Sequence, residues 1–147
     1  MQDTNCIPFF CYAHVNFLTP LFFLSDWDVC KICLDKQGNL LHDLSLVRSK
    51  VLDAAFDSSI QLELWDAAVE FGVPLIAAYK LWYGEGHPMT AILLLKLFKI
   101  LLLTSTNNDS LALNYYCEAV AILELTHGKS STFYCKEVKP LLHQLNK

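Results

Sequence analysis

Cys30 and Cys33 stand in the stretch Cys-Lys-Ile-Cys, a spacing that supplies half of a tetrahedral zinc site. Cys6 and Cys11 are the pair that would complete it. Their own spacing is poor, and the run that follows them is too apolar and too broken by proline to form a normal zinc knuckle. A thioredoxin-like use of Cys30 and Cys33 needs a βαβ setting, and no such pattern surrounds them. The spacing therefore predicts thiols buried on a helix, with no bound metal and no cofactor.

The other residues capable of chemistry form no complete active site. His87 and His127 fall at helix ends, where an imidazole meets terminal backbone groups or the helix dipole more readily than it takes part in catalysis. Neither has a serine or cysteine at a spacing that proposes a nucleophilic pair. Asp53 and Asp57 are four residues apart, which puts both carboxylates on one helical face. Such a face is either a solvated surface or a surface that meets basic groups.

Composition limits the partners. Of 147 residues, 54% are apolar and only 18% charged, so the chain is built to bury a core and is not disordered. The formal net charge of -4 repels nucleic-acid backbones and anionic lipid. Six irregularly spaced cysteines do not form a disulfide framework, which favours reduced thiols in cytosol or nucleus. The run Ile-Pro-Phe-Phe-Cys-Tyr-Ala-His-Val-Asn-Phe-Leu-Thr-Pro-Leu-Phe-Phe-Leu, residues 7–24, is mostly apolar. It lacks a basic flank and is interrupted by Pro8, His14, Asn16 and Pro20, so it reads as a truncated or non-native start and not as a signal or membrane anchor.

The elements that must position these residues are helical. From Leu44 onward apolar residues recur at three- and four-residue intervals and nothing alternates as a half-buried strand would. The periodicity divides the chain into a poorly defined segment 1–43 and a helical domain 44–147. It predicts helices over about 45–61, 64–82, 88–103, 111–126 and 132–145. Gly72 and Pro74 fall inside the second, where proline removes one backbone bond and predicts a kink. Gly84 and Gly86 are placed to take positive φ, and Pro88 to start the next helix. That helix is apolar on nearly every side except at Lys96 and Lys99, so it should be central. Asp109 or Ser110 is expected to cap the fourth.

Shifting the sequence by 44 positions sets Ala68 on Ala112, Val69 on Leu113, Phe71 on Tyr115, Leu81 on Leu125 and Gly84 on Gly128. A helical hairpin recurring at a fixed period predicts an all-α fold of antiparallel hairpins stacked as a tetratricopeptide-like α-solenoid.

Three stretches carry a family resemblance: residues 50–72, residues 79–102 and Glu118-Ala-Val-Ala-Ile-Leu-Glu-Leu-Thr-His-Gly128. In order and spacing they resemble the C-terminal helical domain of the SMYD (SET- and MYND-domain) lysine methyltransferases. The most specific pieces are His87-Pro88 before a helix bearing Lys96 and Lys99, and Thr126-His127-Gly128. Alanine and phenylalanine stand at 91 and 98 where the family pattern has glycine. The resemblance implies a non-catalytic module that shapes access of histone and non-histone lysine substrates. It also implies a cytoplasmic and nuclear location. Catalysis, S-adenosylmethionine and zinc would belong to SET and MYND portions whose motifs do not occur in this sequence. Asp53 and Asp57 would then line the wall facing a basic substrate peptide, with a SET-domain portion as partner.

A rival reading is a free-standing adaptor. Tetratricopeptide arrays clamp acidic C-terminal tails, and the resemblance links this domain to heat-shock-ninety chaperones. Arg48, Lys50, Lys96 and Lys99 are the clamp candidates, acting through charge-assisted contacts to carboxylates. The apolar surroundings of Lys96 and Lys99 suggest packed stems more than a wet groove.

Overall fold

The structure, a computed structural model, describes residues 26–38, 40–104 and 109–141. Among these residues six helices follow one another: α1 (Asp26–Gln37), α2 (Leu46–Gln61), α3 (Trp65–Trp82), α4 (Pro88–Leu103), α5 (Asp109–Thr126) and α6 over 132–141. Within α6 the segment Tyr134–Val138 is wound as a π-helix. No strand occurs among the described residues. The cysteines Cys6 and Cys11 and the run 7–24 lie outside them.

Local chemistry sets the helix ends. Ser45 caps α2, its Oγ accepting from the Arg48 N–H at 3.4 Å. His87 caps α4, its Nδ1 accepting from the Met89 N–H at 3.2 Å, and Pro88 begins the helix where its missing N–H costs nothing. Gly84 takes φ 104° after α3, and Gly128 takes φ 79° after α5. The repeat seen in the sequence thus ends both helices on the same left-handed glycine. Gly86, expected to share that role, has no positive φ. The turn is held instead by the buried Thr90, whose Oγ1 donates to the Gly84 carbonyl at 3.1 Å, and by the His87 ring stacked on Tyr83 at 5.2 Å. Asp109 and Ser110 are the first two residues of the described α5, and the residues before them lie outside the description. Glu63, in the turn between α2 and α3, carries φ 57°, a left-handed backbone unusual for a residue with a side chain.

Among the described residues, backbones pack closely only between sequence neighbours: α1 on α2, α2 on α3, α3 on α4, α4 on α5 and α5 on α6. Side chains reach one helix further. Lys96 on α4 meets Asp57 on α2, Lys99 on α4 meets Glu137 on α6, and Lys80 on α3 meets Glu118 on α5. Alternate helices therefore share a layer, α2, α4 and α6 in one and α3 and α5 in the other. This is the solenoid-like, all-α arrangement that the repeat predicts.

The central position of α4 follows from its composition. Leu93, Leu97 and Ile100 join a core formed with α1, α2 and α3. Ala91, Leu94, Leu95, Phe98 and Leu101 join a second core formed with α5 and α6. Ala91 and Phe98, the two departures from the family pattern, are both fully buried, and Phe98 packs on Tyr116 with ring centroids 4.9 Å apart. On α3, Gly72 lets three helices converge: a Cβ there would come within 2.7 Å of both Leu97 Cδ2 and Phe56 Cε2. The helix runs unbroken through the exposed Pro74.

Helix α1 is an addition to what the periodicity predicts, since the span 1–43 contains no recognisable amphipathic pattern. Its buried stripe is only Cys30 and Leu34, while Val29 and Ile32 are exposed. A polar joint fixes it in place. The Trp27 indole N–H donates to Ser59 Oγ at 3.0 Å, and the fully buried Ser59 hydroxyl donates to the Ala55 carbonyl at 2.7 Å. No described helix is long and apolar enough to cross a membrane.

Candidate functional site

The α2 face bearing Asp53 and Asp57 lies where α3 and α4 both reach it. Residues i and i+4 on α2 place the two carboxylates in a row. From α3, the Tyr79 hydroxyl donates to Asp53 Oδ1 at 2.7 Å. From α4, the Lys96 ammonium donates to Asp57 Oδ1 at 2.8 Å and lies 5.6 Å from the centre of the Phe56 ring. The two acids thus have different surroundings. Burial pushes the Asp53 carboxyl above its ordinary range, Asp57 adding to the effect while the Tyr79 hydroxyl and the Lys96 charge oppose it. Asp57 faces a full counter-charge.

Three of the four proposed clamp cations are already engaged. Lys96 is paired with Asp57, and Lys99 donates to Glu137 Oε2 at 2.8 Å. Arg48 Nε lies 3.4 Å from the Asp43 carboxylate, while its Nη1 is buried with no hydrogen-bond partner. Lys50 is exposed on α2. The fold brings Asp57 and Lys96 together although the sequence assigns them to opposite roles. A carboxylate ligand at Lys96 and Lys99 would have to displace two internal carboxylates.

Tyr79 and Glu137 have no counterpart in the sequence reading. The signal that could have located the ion-pair partners is a charge one hairpin away: Asp57 and Lys96 are 39 residues apart, Lys99 and Glu137 38.

The four described cysteines, Cys30, Cys33, Cys117 and Cys135, are free thiols. Cys30 is buried and Cys33 partly so, and burial pushes the Cys30 thiol up, away from the reactive thiolate, with Cys33 and Asp26 adding to it. No three histidine, cysteine or acidic side chains gather to hold a metal among the described residues. His127 meets the Thr126 hydroxyl at 2.9 Å through Nδ1 and packs on Phe133.

Comparison with known proteins gives one consistent set of relatives, although no family model matches the chain. The chain is 25% identical over 101 residues to mouse "Histone-lysine N-methyltransferase SMYD3", covering 69% of this chain and 23% of that protein. It is 26% identical over 101 residues to the human protein of the same name, with the same shares of each chain. It is 27% identical over 113 residues to "N-lysine methyltransferase SMYD2-A" of Xenopus laevis, covering 76% of this chain and 25% of that protein. The matched region spans about a quarter of these relatives' length.

Proposed function

Starting from a distant relationship to the SMYD lysine methyltransferases, we propose that this chain is a non-catalytic helical module of such an enzyme. Its role is to shape the access of histone and non-histone lysine substrates. The observation that carries the reading is the alignment with lysine methyltransferases over most of this chain and a limited part of theirs. The helical stack supports it, because stacked hairpins present extended walls suited to peptides.

The Asp53–Asp57 row is the wall that a basic peptide meets. Attraction at such a wall acts over about a Debye length, roughly 8–10 Å at physiological salt, and weakens as salt rises. Lys96 moderates it by holding Asp57, so a substrate ammonium gains Asp57 only by competing with Lys96. A SET-domain portion supplies S-adenosylmethionine and the reacting groups, and the module works in cytoplasm and nucleus.

Calorimetry with S-adenosylmethionine, run beside a titration with a lysine-rich peptide, tests this division of labour. The reading expects no saturable heat from the cofactor and weak, salt-sensitive binding of the peptide. Saturable cofactor binding, or peptide binding indifferent to Asp53→Asn and Asp57→Asn, would contradict it.

A further inference from the structure

A cleft of about 510 Å³ opens beside the turn between α2 and α3 and takes no part in the acidic wall. Its lining combines two indoles, Trp27 and Trp65, with two carboxylates, Glu63 and Asp66, and with Thr104 at the end of α4. We propose that this cleft binds a methylated or quaternary ammonium group, the methyl groups resting against Trp27 and Trp65 and the charge facing Glu63 and Asp66.

Three observations support that ligand chemistry. Both indoles are held in place: Trp27 by its N–H bond to Ser59, and Trp65 by packing against the core shared by α1, α2, α3 and α4. Trp27 already attracts an ammonium, since the Lys31 Nζ lies 4.0 Å from its ring centre. An indole face attracts a cation through its quadrupole, most strongly when the cation sheds water easily. The ion pairs of the described residues involve Asp43, Asp57, Glu118, Glu124 and Glu137, and leave Glu63 and Asp66 without a counter-charge.

Other ligand classes fit less well. An anion would meet two carboxylates and the carbonyl end of α4, which carries partial negative charge. A hard divalent ion needs about six or more oxygen ligands, and most of this wall is aromatic or aliphatic. An unmethylated ammonium also rests on an indole, as Lys31 does on Trp27, but it is more strongly hydrated and gains less there than a methylated one. Methylation removes that hydration and adds apolar surface while keeping the charge. The inference rests on the cleft alone and stands or falls separately from the module reading.

The test is a titration of the full chain, followed through the indole N–H resonances of Trp27, Trp65 and Trp82. The probes are choline, a short peptide carrying trimethyl-lysine, and the neutral carbon isostere of choline. Saturable shifts at Trp27 and Trp65 but not at Trp82 are expected with both cations and not with the neutral isostere. The double variant Glu63→Gln, Asp66→Asn, altered only at exposed positions, should weaken binding by about fivefold or more. Tighter binding of the peptide than of choline would identify a protein ligand, and the reverse a small molecule; either supports the site. Equal binding of the neutral isostere, shifts confined to Trp82, an unaffected double variant, or no shift with either cation would overturn it.

Discussion

Lys96 Nζ lies 2.8 Å from Asp57 Oδ1, joining α4 to α2 across one helical hairpin. The contact links the acidic wall to the most central helix of the stack. Both side chains are about a third exposed, at 37% and 32%, so the pair belongs with surface ion pairs and not with buried ones. A double-mutant cycle on Asp57→Asn and Lys96→Met should therefore give a stability coupling of about 0.2–1 kcal/mol that fades with added salt. Freed of Lys96, Asp57 should hold a lysine-rich peptide about two- to fivefold more tightly. An affinity unchanged by Lys96→Met would mean that Asp57 does not meet the peptide.

At Gly72 on α3, side chains of α2 and α4 occupy the space that a Cβ would need. Alanine is the better helix former by up to about 1 kcal/mol, but its Cβ would be driven into the fully buried Phe56 and Leu97 side chains. The clash should dominate, with Gly72→Ala costing about 1–3 kcal/mol in thermal or denaturant unfolding. Gly86→Ala is the control, because a Cβ there meets nothing within 4 Å and φ is not positive. Equal stability of the two variants would show that the helices have room to separate.

Asp53 should make stability depend on pH in a defined direction. Its carboxyl pKa is raised by burial, so the folded state holds the proton more tightly than the unfolded chain does. The linked contribution is fully present below the unfolded value of about 3.9 and is lost as pH rises through the folded one. Asp53→Asn keeps an acceptor for the Tyr79 hydroxyl and removes the titration. Wild type should accordingly lose stability relative to Asp53→Asn as pH climbs through that window, with the variant at least as stable at neutral pH. A wild type that gains on the variant over the same range would reverse the sign.

Tyr134 predicts a separate alkaline effect. Burial, then the hydrogen bond to Glu124 at 2.7 Å, pushes its phenol up to about 12. The same bond draws the Glu124 carboxyl below its usual range. Folding should therefore weaken as pH rises from about 10 toward 12, where the unfolded phenol ionises first. Burial also raises the Tyr115 and Tyr116 phenols, so ultraviolet titration should show its latest tyrosine step, and only that one, disappear in Tyr134→Phe. Retention of that late step in the variant would assign it to another residue.

What could be read from the sequence follows a physical division. Helices α2 to α5 were legible because their apolar residues recur at helical spacing and because Ser45, Pro88, Gly84 and Gly128 mark their ends chemically. Helix α1 was not, since Cys30 and Leu34 make too thin a stripe to register and its position depends on Trp27 reaching Ser59, 32 residues away. Asp53, Asp57, Lys96 and Lys99 were found as charges on helical faces. Their partners were hidden, because the i, i+4 rule describes one helix and says nothing about a charge two helices further on. The cleft at Trp27 and Trp65 joins residues from separate helices, a neighbourhood that only the packing of α1 reveals.

The most direct test of the module reading is methyl transfer in trans. A SMYD3-type relative shortened to lack the region matched here would be assayed with a lysine peptide and labelled S-adenosylmethionine, with increasing amounts of this chain. The account predicts incorporation that rises and saturates with added chain, falls when the chain carries Asp53→Asn and Asp57→Asn, and stays at background with the chain alone. Incorporation by the chain alone, or a shortened enzyme indifferent to its presence, would contradict the account.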